Sequence, residues 1–418
     1  MIDWNEYALT ILVIVVGMYA LTTLADWLNL TALHQPAPPN LSDLYDVDAY
    51  AKSQEYHRLG TWLAIGESTT SVIAFLIFWL AGGFGWLDLQ VRQLTTHPIL
   101  AGMAYIGALS VFSYLIELPF TLLDTFWLEE RFGFNRTTWG TFLIDQLKTL
   151  VLLALIGLPL VAALVAFFDR WPTHGWWIAW LVVTLFSLGL SYLAPTLIMP
   201  LFNKFEPLQD GTLKSEIDAL AARCDFPLQD IYVMDGSRRS NKSNAFFTGL
   251  GRRKRIALYD TLVNNHSTAE LLAVLAHEIG HYKKRHIHQQ MLLGILQTGL
   301  MCFLLGKTLN NPGLFAAFGV RDLSVYASMV FFSILFRPLS RLISVGLAIL
   351  SRRNEYEADQ FATQAVGSAE PLSSALRKLA KTNLSNLTPH PLQVFLNYSH
   401  PPLRERLAAL TRHPSHVE

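Results

Sequence analysis

Charge is what this chain has least of. Only 15% of its 418 residues are Asp, Glu, Lys or Arg, against about 25% in ordinary soluble domains. The 32 basic and 32 acidic side chains cancel to a formal net charge of zero. No global field therefore draws the chain to nucleic acid, and no nucleic-acid-binding signature is present. Cysteine is nearly absent as well. Cys224 and Cys302 are the only two, too few for a disulfide framework or a cysteine-built zinc ribbon. Both read as reduced structural residues. There is no internal repeat and no low-complexity tract.

What the chain has in excess is apolar surface, 52% of its residues. It falls into seven runs: Ala8–Leu24, Trp62–Leu80, Ile99–Leu118, Thr149–Phe168, Trp176–Met199, Gln290–Leu309 and Val325–Leu350. At a helical rise of 1.5 Å per residue each can cross an apolar core about 30 Å thick. The fold class expected is an all-α membrane protein with seven transmembrane helices. The first run follows Asp3 and Glu6 rather than Lys or Arg, and no small-residue cleavage site follows it. It reads as a retained helix with its N-terminus outside, not as a signal peptide. Pro159, Pro195 and Pro338 are expected to kink or end their spans. Glu67, Glu117, Asp145, Lys148, Arg337 and Arg341 lie inside or at the ends of spans. Lipid-facing charge is costly, so they should face one another or a wet interior, with snorkelling the alternative for Lys148.

Within the fifteen residues Leu271–Arg285 stands His277-Glu278-Ile-Gly-His281. On a helix, positions i and i+4 share a face, so the two imidazoles can converge on one zinc ion. Glu278 sits beside them, placed to take a proton from a water held there. Ser267 and Glu270 supply a capping box ahead of an apolar face. A third ligand is required. The metzincin pattern fails, because Lys284 and Ile287 occupy the positions it needs for Gly and His, which leaves His286 and His288 out of register. A carboxylate remains. No Glu occurs between Glu278 and Glu355, and the one Asp there, Asp322, lies between two spans on the far side of the bilayer. The chain returns at Arg352-Arg353-Asn354-Glu355-Tyr356-Glu357-Ala358-Asp359. Glu355 and Asp359 share a helical face while Glu357 points elsewhere; one can bind metal and the other can hold a ligand imidazole.

Between the fifth and sixth spans, residues Pro200–His266 read as a small α+β insert. Lys214–Cys224 is an amphipathic helix, Asp230–Met234 a strand, and Asn244–Leu250 with Arg255–Tyr259 a hairpin around Gly251. The basic run Arg252–Arg255 suits a solvated tip near the membrane surface. Asn244, Ala245 and Phe246 would form an edge able to receive an extended peptide. Loop Lys and Arg residues are concentrated on the insert's side, which assigns that side to the cytoplasm. After Glu355 the helix should run through Ala365, with further helices at Pro371–Lys381 and Leu403–Leu410.

Three segments taken together, His277–His281, Ser351–Asp359 and Tyr398–Leu407, resemble the type I CAAX prenyl protease family of integral-membrane zinc endopeptidases. Asn244–Gly249 and Leu118–Asn135 are also similar to family segments, and the likeness runs from about Tyr50 to Leu410. The resemblance implies a hydrated chamber enclosed by the seven helices. It implies one Zn2+ per chain on His277, His281 and Glu355, Glu278 as the base, and Asp359 orienting a ligand histidine. His400 and Arg406 would lie near the metal to stabilise the oxyanion or anchor substrate, with Asn244, Ala245 and Phe246 binding substrate. The implied substrate is a peptide or protein, prenylated or not, that loses its last three residues from a C-terminal Cys-a-a-X segment. Two alternatives stay open: a quality-control protease of the HtpX type, and a non-enzymatic transporter or receptor. The expected division is 1–199 for five spans, 200–289 for the cytoplasmic insert with the metal helix, 290–350 for two spans, and 351–418 for a cytoplasmic helical segment. The compact length and the lack of a C-terminal dilysine favour a bacterial inner membrane over the endoplasmic reticulum, with the active site facing the cytoplasm.

Overall fold

The computed structural model describes residues 2–248 and 254–412. The expected hairpin tip at 249–253 lies outside the described residues. Six helices are long and apolar enough to cross a membrane: Glu6–Ala32, Val47–Leu80, Pro98–Glu129, Trp139–Arg170, Gly175–Phe202 and His286–Thr308. Among the described residues a bent pair, Val325–Leu335 and Arg337–Val366, meeting at 54°, makes a seventh if the two helices count as one broken span. At most 22% of the most apolar stretch of any of the six is buried inside the protein. Leu143, Leu155, Leu185 and Leu292 are among the residues that face outward, as a lipid-solvated helix requires.

The prolines act where the sequence places them. Pro338 occupies the first turn of the Arg337–Val366 helix; it has no N–H to donate, so the ladder breaks at the bend. Single π-helical turns, Leu153–Gly157 ahead of Pro159 and Ala194–Ile198 around Pro195, absorb the missing bonds of the other two. A third such turn, Asp124–Glu129, follows Pro119 inside the Pro98–Leu123 helix.

One core lies among the spans, where Phe318 stacks on Phe331 at 3.9 Å between ring centres and Trp79 and Phe84 close the layer. The N-terminus is pinned to this end: the Asp3 N–H donates to the Ala316 carbonyl at 3.0 Å, and the Asn5 amide to that of Gly313 at 2.8 Å. Deeper in the bundle is a cavity of about 630 Å³ lined by Tyr19, Ser68, Glu117, Ser333, Arg337 and Arg341 among others. Three of the six ionisable residues flagged in the spans thus line this cavity, beside serines and apolar side chains such as Val72, Phe75 and Phe112. Asp145 staples the insert to the bundle by pairing with Arg239 at 2.8 Å, and Lys148 donates to the Leu201 carbonyl near the end of the Gly175–Phe202 span at 2.7 Å.

The insert folds as a four-stranded sheet in the order β1-β2-β4-β3, with β1 Phe205–Pro207, β2 Leu228–Met234, β3 Ala245–Thr248 and β4 Lys254–Tyr259. β2 and β4 run parallel; β1 and β3 are antiparallel to their neighbours. Ile231, Ile256 and Leu258 belong to a second core with Ile217 and Leu220 of the Thr212–Arg223 helix and Leu271 and Leu275 of the Thr268–Lys283 helix. The sheet therefore serves as the floor on which the histidine-bearing helix lies. Beyond Val366, Gly367 adopts a left-handed φ of 80° and ends the long helix. The chain then folds back through Glu370–Thr382, Pro391–Asn397 and Leu403–Arg412. The Pro391–Asn397 helix has no counterpart in the sequence reading.

Candidate metal centre

The Thr268–Lys283 helix begins with the expected capping box. The Glu270 N–H donates to Ser267 Oγ at 3.4 Å, and the Ser267 N–H to Glu270 Oε2 at 2.8 Å. The same carboxylate accepts from Ser374 at 2.6 Å and Lys378 at 2.8 Å on the Glu370–Thr382 helix. Burial alone would push Glu270 up, but the Lys378, Ser374 and Ser267 donors outweigh it and hold the carboxyl at about 2. Leu271, Ala273, Leu275, Ala276 and Ile279 are buried. On the helix face toward Arg337–Val366 stands Gly280, where an added Cβ would lie 3.1 Å from the Ala358 Cα and 3.2 Å from its carbonyl oxygen. The two helices pack backbone to backbone there, which puts His277 and His281 beside Glu355 and Asp359.

His277 Nε2 and His281 Nε2 are 3.1 Å apart. Glu355 Oε2 lies 3.4 Å from the first and Oε1 3.2 Å from the second. One ligand atom from each of the three residues lies within 4.8 Å of the other two. His277 Nδ1 is 2.8 Å from Asp359 Oδ1, a contact that favours the proton on Nδ1 and leaves Nε2 with a lone pair. With a cation in place of any proton on the two Nε2 atoms, the triad would offer it two imidazole lone pairs and a carboxylate. Glu355 Oε2 is buried and makes no hydrogen bond. Such a set of converging acceptors fits a divalent cation of the zinc kind, which takes two His nitrogens and one carboxylate and keeps a position open. Burial opposes protonation of His277, yet Asp359 and Glu355 together raise it to about 9. That excess of negative charge is what a bound cation would neutralise.

Around the triad, Arg406 donates to Asp359 through Nε at 2.9 Å and Nη2 at 2.5 Å, and its Nη1 lies 3.4 Å from Glu355 Oε2. His400 Nε2 is 3.4 Å from Glu355 Oε1 while its ring stays exposed. Glu278 is half-buried, and burial pushes its carboxyl up against the opposing pull of His277 and His281. Asn244 precedes β3, and β3 is one of the two edge strands of the sheet. The structure thus brings His277, His281, Glu278, Glu355, Asp359, His400 and Arg406 into one region. Arg406 is buried and engaged with Asp359. Register along the helix excludes His286 as a ligand, yet its ring meets His281 Nδ1 at 3.1 Å. Glu357, pointing away from the triad as expected, meets His286 at 3.3 Å.

Comparison with known proteins agrees over the whole length. Residues 26–204 match the family described as CAAX prenyl protease N-terminal, five membrane helices, and 207–413 match peptidase family M48. CAAX prenyl protease 1 of Saccharomyces cerevisiae is 36% identical over 399 residues, covering 89% of this chain and 88% of that one. The Arabidopsis thaliana homologue is 35% identical over 416 residues, with 96% of each chain covered. The crystal structure of S. mikatae Ste24p superposes with a TM-score of 0.91 at 34% identity, covering 98% of this chain and 100% of that one. These relatives do not favour the quality-control or transporter readings. They also correct one expectation: relatives of this similarity come from yeasts, plants and mammals, so the preference for a bacterial inner membrane has no support, while the multi-pass membrane character stands.

Proposed function

This chain belongs to the CAAX prenyl protease family of M48 peptidases, and from that premise we propose how its site works and on what. It is a membrane metalloendopeptidase. The metal is zinc, one per chain, held by His277, His281 and Glu355, with Asp359 orienting His277. The observation that carries this reading is the convergence of three lone-pair donors within 4.8 Å beside Glu278. Zinc bound there supplies a Lewis acid that lowers the pKa of a water and polarises the scissile carbonyl.

The chain's own residues do the rest. Glu278, half-buried and raised by burial, accepts the proton of the attacking water and returns it to the leaving amine. His400, exposed at the rim, donates to the oxyanion, a role worth about 2.7–4 kcal/mol per donor. Arg406 fixes Asp359 and Glu355 in place. Asn244, Ala245 and Phe246 at the sheet edge hold the substrate as an added strand through main-chain hydrogen bonds. The relatives' names support a prenylated C-terminal Cys-a-a-X segment as substrate, cut after the cysteine to release the last three residues.

Mass spectrometry of products from matched prenylated and unprenylated peptides, with zinc quantified on the same sample, tests both parts. Release of the terminal tripeptide from the prenylated peptide, with one zinc per chain, is expected. Equal cleavage of both peptides would remove the prenyl requirement, and activity at full rate after metal removal would remove the mechanism.

A further inference from the structure

His277 and His281 are both aimed at the triad through Nε2, but only His277 meets a carboxylate with its other nitrogen, Nδ1, through Asp359. On the far side of His281 stands His286, 2% exposed. His281 Nδ1 and His286 Nδ1 are 3.1 Å apart, with the rings inclined at 73°. His286 Nε2 then lies 3.3 Å from Glu357 Oε2, and Glu357 Oε1 accepts from Arg353 Nε at 3.2 Å.

Two imidazole nitrogens at that distance share one proton. For His281 Nε2 to offer a lone pair to a metal, that proton must be on His281 Nδ1, with His286 Nδ1 accepting. The remaining proton of neutral His286 is then on Nε2, where it is donated to Glu357. With His281 Nε2 committed to a metal and His286 neutral, this chain of tautomers satisfies each of these contacts. The backbone is shaped for the contact. Arg285, between the Thr268–Lys283 and His286–Thr308 helices, holds a left-handed φ of 61°, an uncommon state for a residue with a Cβ. The reversal there brings His286 back against His281 and out of the register of the first helix.

We infer that His286 is a positioning residue of the metal site, which with Glu357 sets the tautomer and ring orientation of His281 as Asp359 does for His277. The inference rests on His277, His281 and Glu355 being the metal ligands. Asn and Leu at position 286 separate a hydrogen-bonding role from a packing one, since Asn Oδ1 overlies the imidazole Nδ1 and can accept from His281, whereas Leu fills the space without accepting. Zinc affinity is measured by competition with a chelator on the purified full-length chain, and the melting temperature is taken on chelator-stripped samples. His286→Leu is expected to weaken zinc binding by about 10–100-fold, His286→Asn to recover most of it, and Glu357→Gln to show a smaller loss. The stripped variants should melt alike. Equal zinc affinity in wild type and His286→Leu, or an equal loss in the Leu and Asn variants, overturns the inference. His281→Ala runs alongside: if it too keeps zinc, the ligand assignment itself has failed, and this inference goes with it.

Discussion

Arg406 and Asp359, 47 positions apart in the chain, meet through two hydrogen bonds of 2.9 and 2.5 Å in a place where both are buried. The pair ties the last helix to the helix bearing Glu355, and Asp359 passes the constraint on to His277. Breaking a buried ion pair from one side leaves the other charge unpaired and costs about 3–5 kcal/mol. Arg406→Ala should therefore lower the melting temperature, zinc affinity and kcat together. Arg406→Lys should rescue little, because an ammonium cannot repeat the two-pronged contact. An Arg406→Ala protein with wild-type stability and kcat would show that the pair is incidental.

The base and the third ligand separate in two variants. Glu278→Gln keeps the side chain's shape but cannot accept a proton, so it should bind zinc normally and lose about 10²–10⁴ in kcat. Glu355→Ala should lose most of its zinc, and Glu357→Ala far less. Zinc content by atomic absorption, with single-turnover cleavage on the same samples, decides it. Rapid turnover by zinc-loaded Glu278→Gln would assign the base elsewhere.

The parts of this site that are legible in the sequence are those with a local signature. His277-Glu278-x-x-His281 and its capping box fix one helix, and the scarcity of carboxylates before Glu355 narrows the third ligand. Apolar length gives the spans, and Pro159, Pro195 and Pro338 mark where they yield. What stays hidden depends on contacts between distant segments or on backbone states that residue type does not announce. A left-handed Arg285 carries no glycine signal, so the metzincin spacing that leaves His286 out of register does not reveal that His286 turns back against His281. Arg406 is placed near the metal only by the family resemblance, and its contact with Asp359 emerges only when the last helix is seen to fold back. The apolar run that ends at Leu118 does not announce that the helix continues through Pro119 to Leu123 and into a π-helical turn.

Helix approach at Gly280 is directly testable. A Cβ there would stand 3.1 Å from the Ala358 Cα and 3.2 Å from its carbonyl oxygen, backbone atoms that cannot rotate away. Gly280→Ala gains up to about 1 kcal/mol of helix propensity but incurs about 1–3 kcal/mol of overpacking. Because the strain separates the histidines from Glu355, zinc affinity should fall more than stability does. Gly346→Ala, with nothing within 4 Å of its added Cβ, should be neutral or stabilising. Equal zinc affinity in both variants would refute the close-packing argument.

Acid sensitivity should trace in part to Glu270. Its carboxyl is held at about 2 in the folded protein, below its ordinary 4.5, so the unfolded chain binds the proton more readily than the folded one. The stabilisation from Lys378, Ser374 and Ser267 is whole above the ordinary value and is lost as pH falls from there toward the folded value. Glu270→Gln should melt below wild type at neutral pH, and the gap should narrow through that acid window. A gap that stays constant from about pH 6 to about pH 3 would sink the assignment.

His400 allows a clean separation of chemistry from stability, because its ring is exposed while Nε2 reaches within 3.4 Å of Glu355 Oε1. Losing an exposed side chain usually moves stability by no more than about 0.5 kcal/mol, so a loss of activity in His400→Ala cannot be blamed on unfolding. To donate to an oxyanion, His400 must carry its proton on Nε2, which leaves Nδ1 as an acceptor. Ser399 Oγ, 2.9 Å from Nδ1, then has to be the donor. His400→Ala should keep its zinc and melting temperature and lose about 10²–10³ in kcat with little change in KM. Ser399→Ala should show a smaller loss of the same kind, since it frees the tautomer without removing the donor. A rise in KM at constant kcat would make His400 a substrate anchor, and unchanged kinetics in both variants would leave the Tyr398–Pro402 segment as no more than the turn before the last helix.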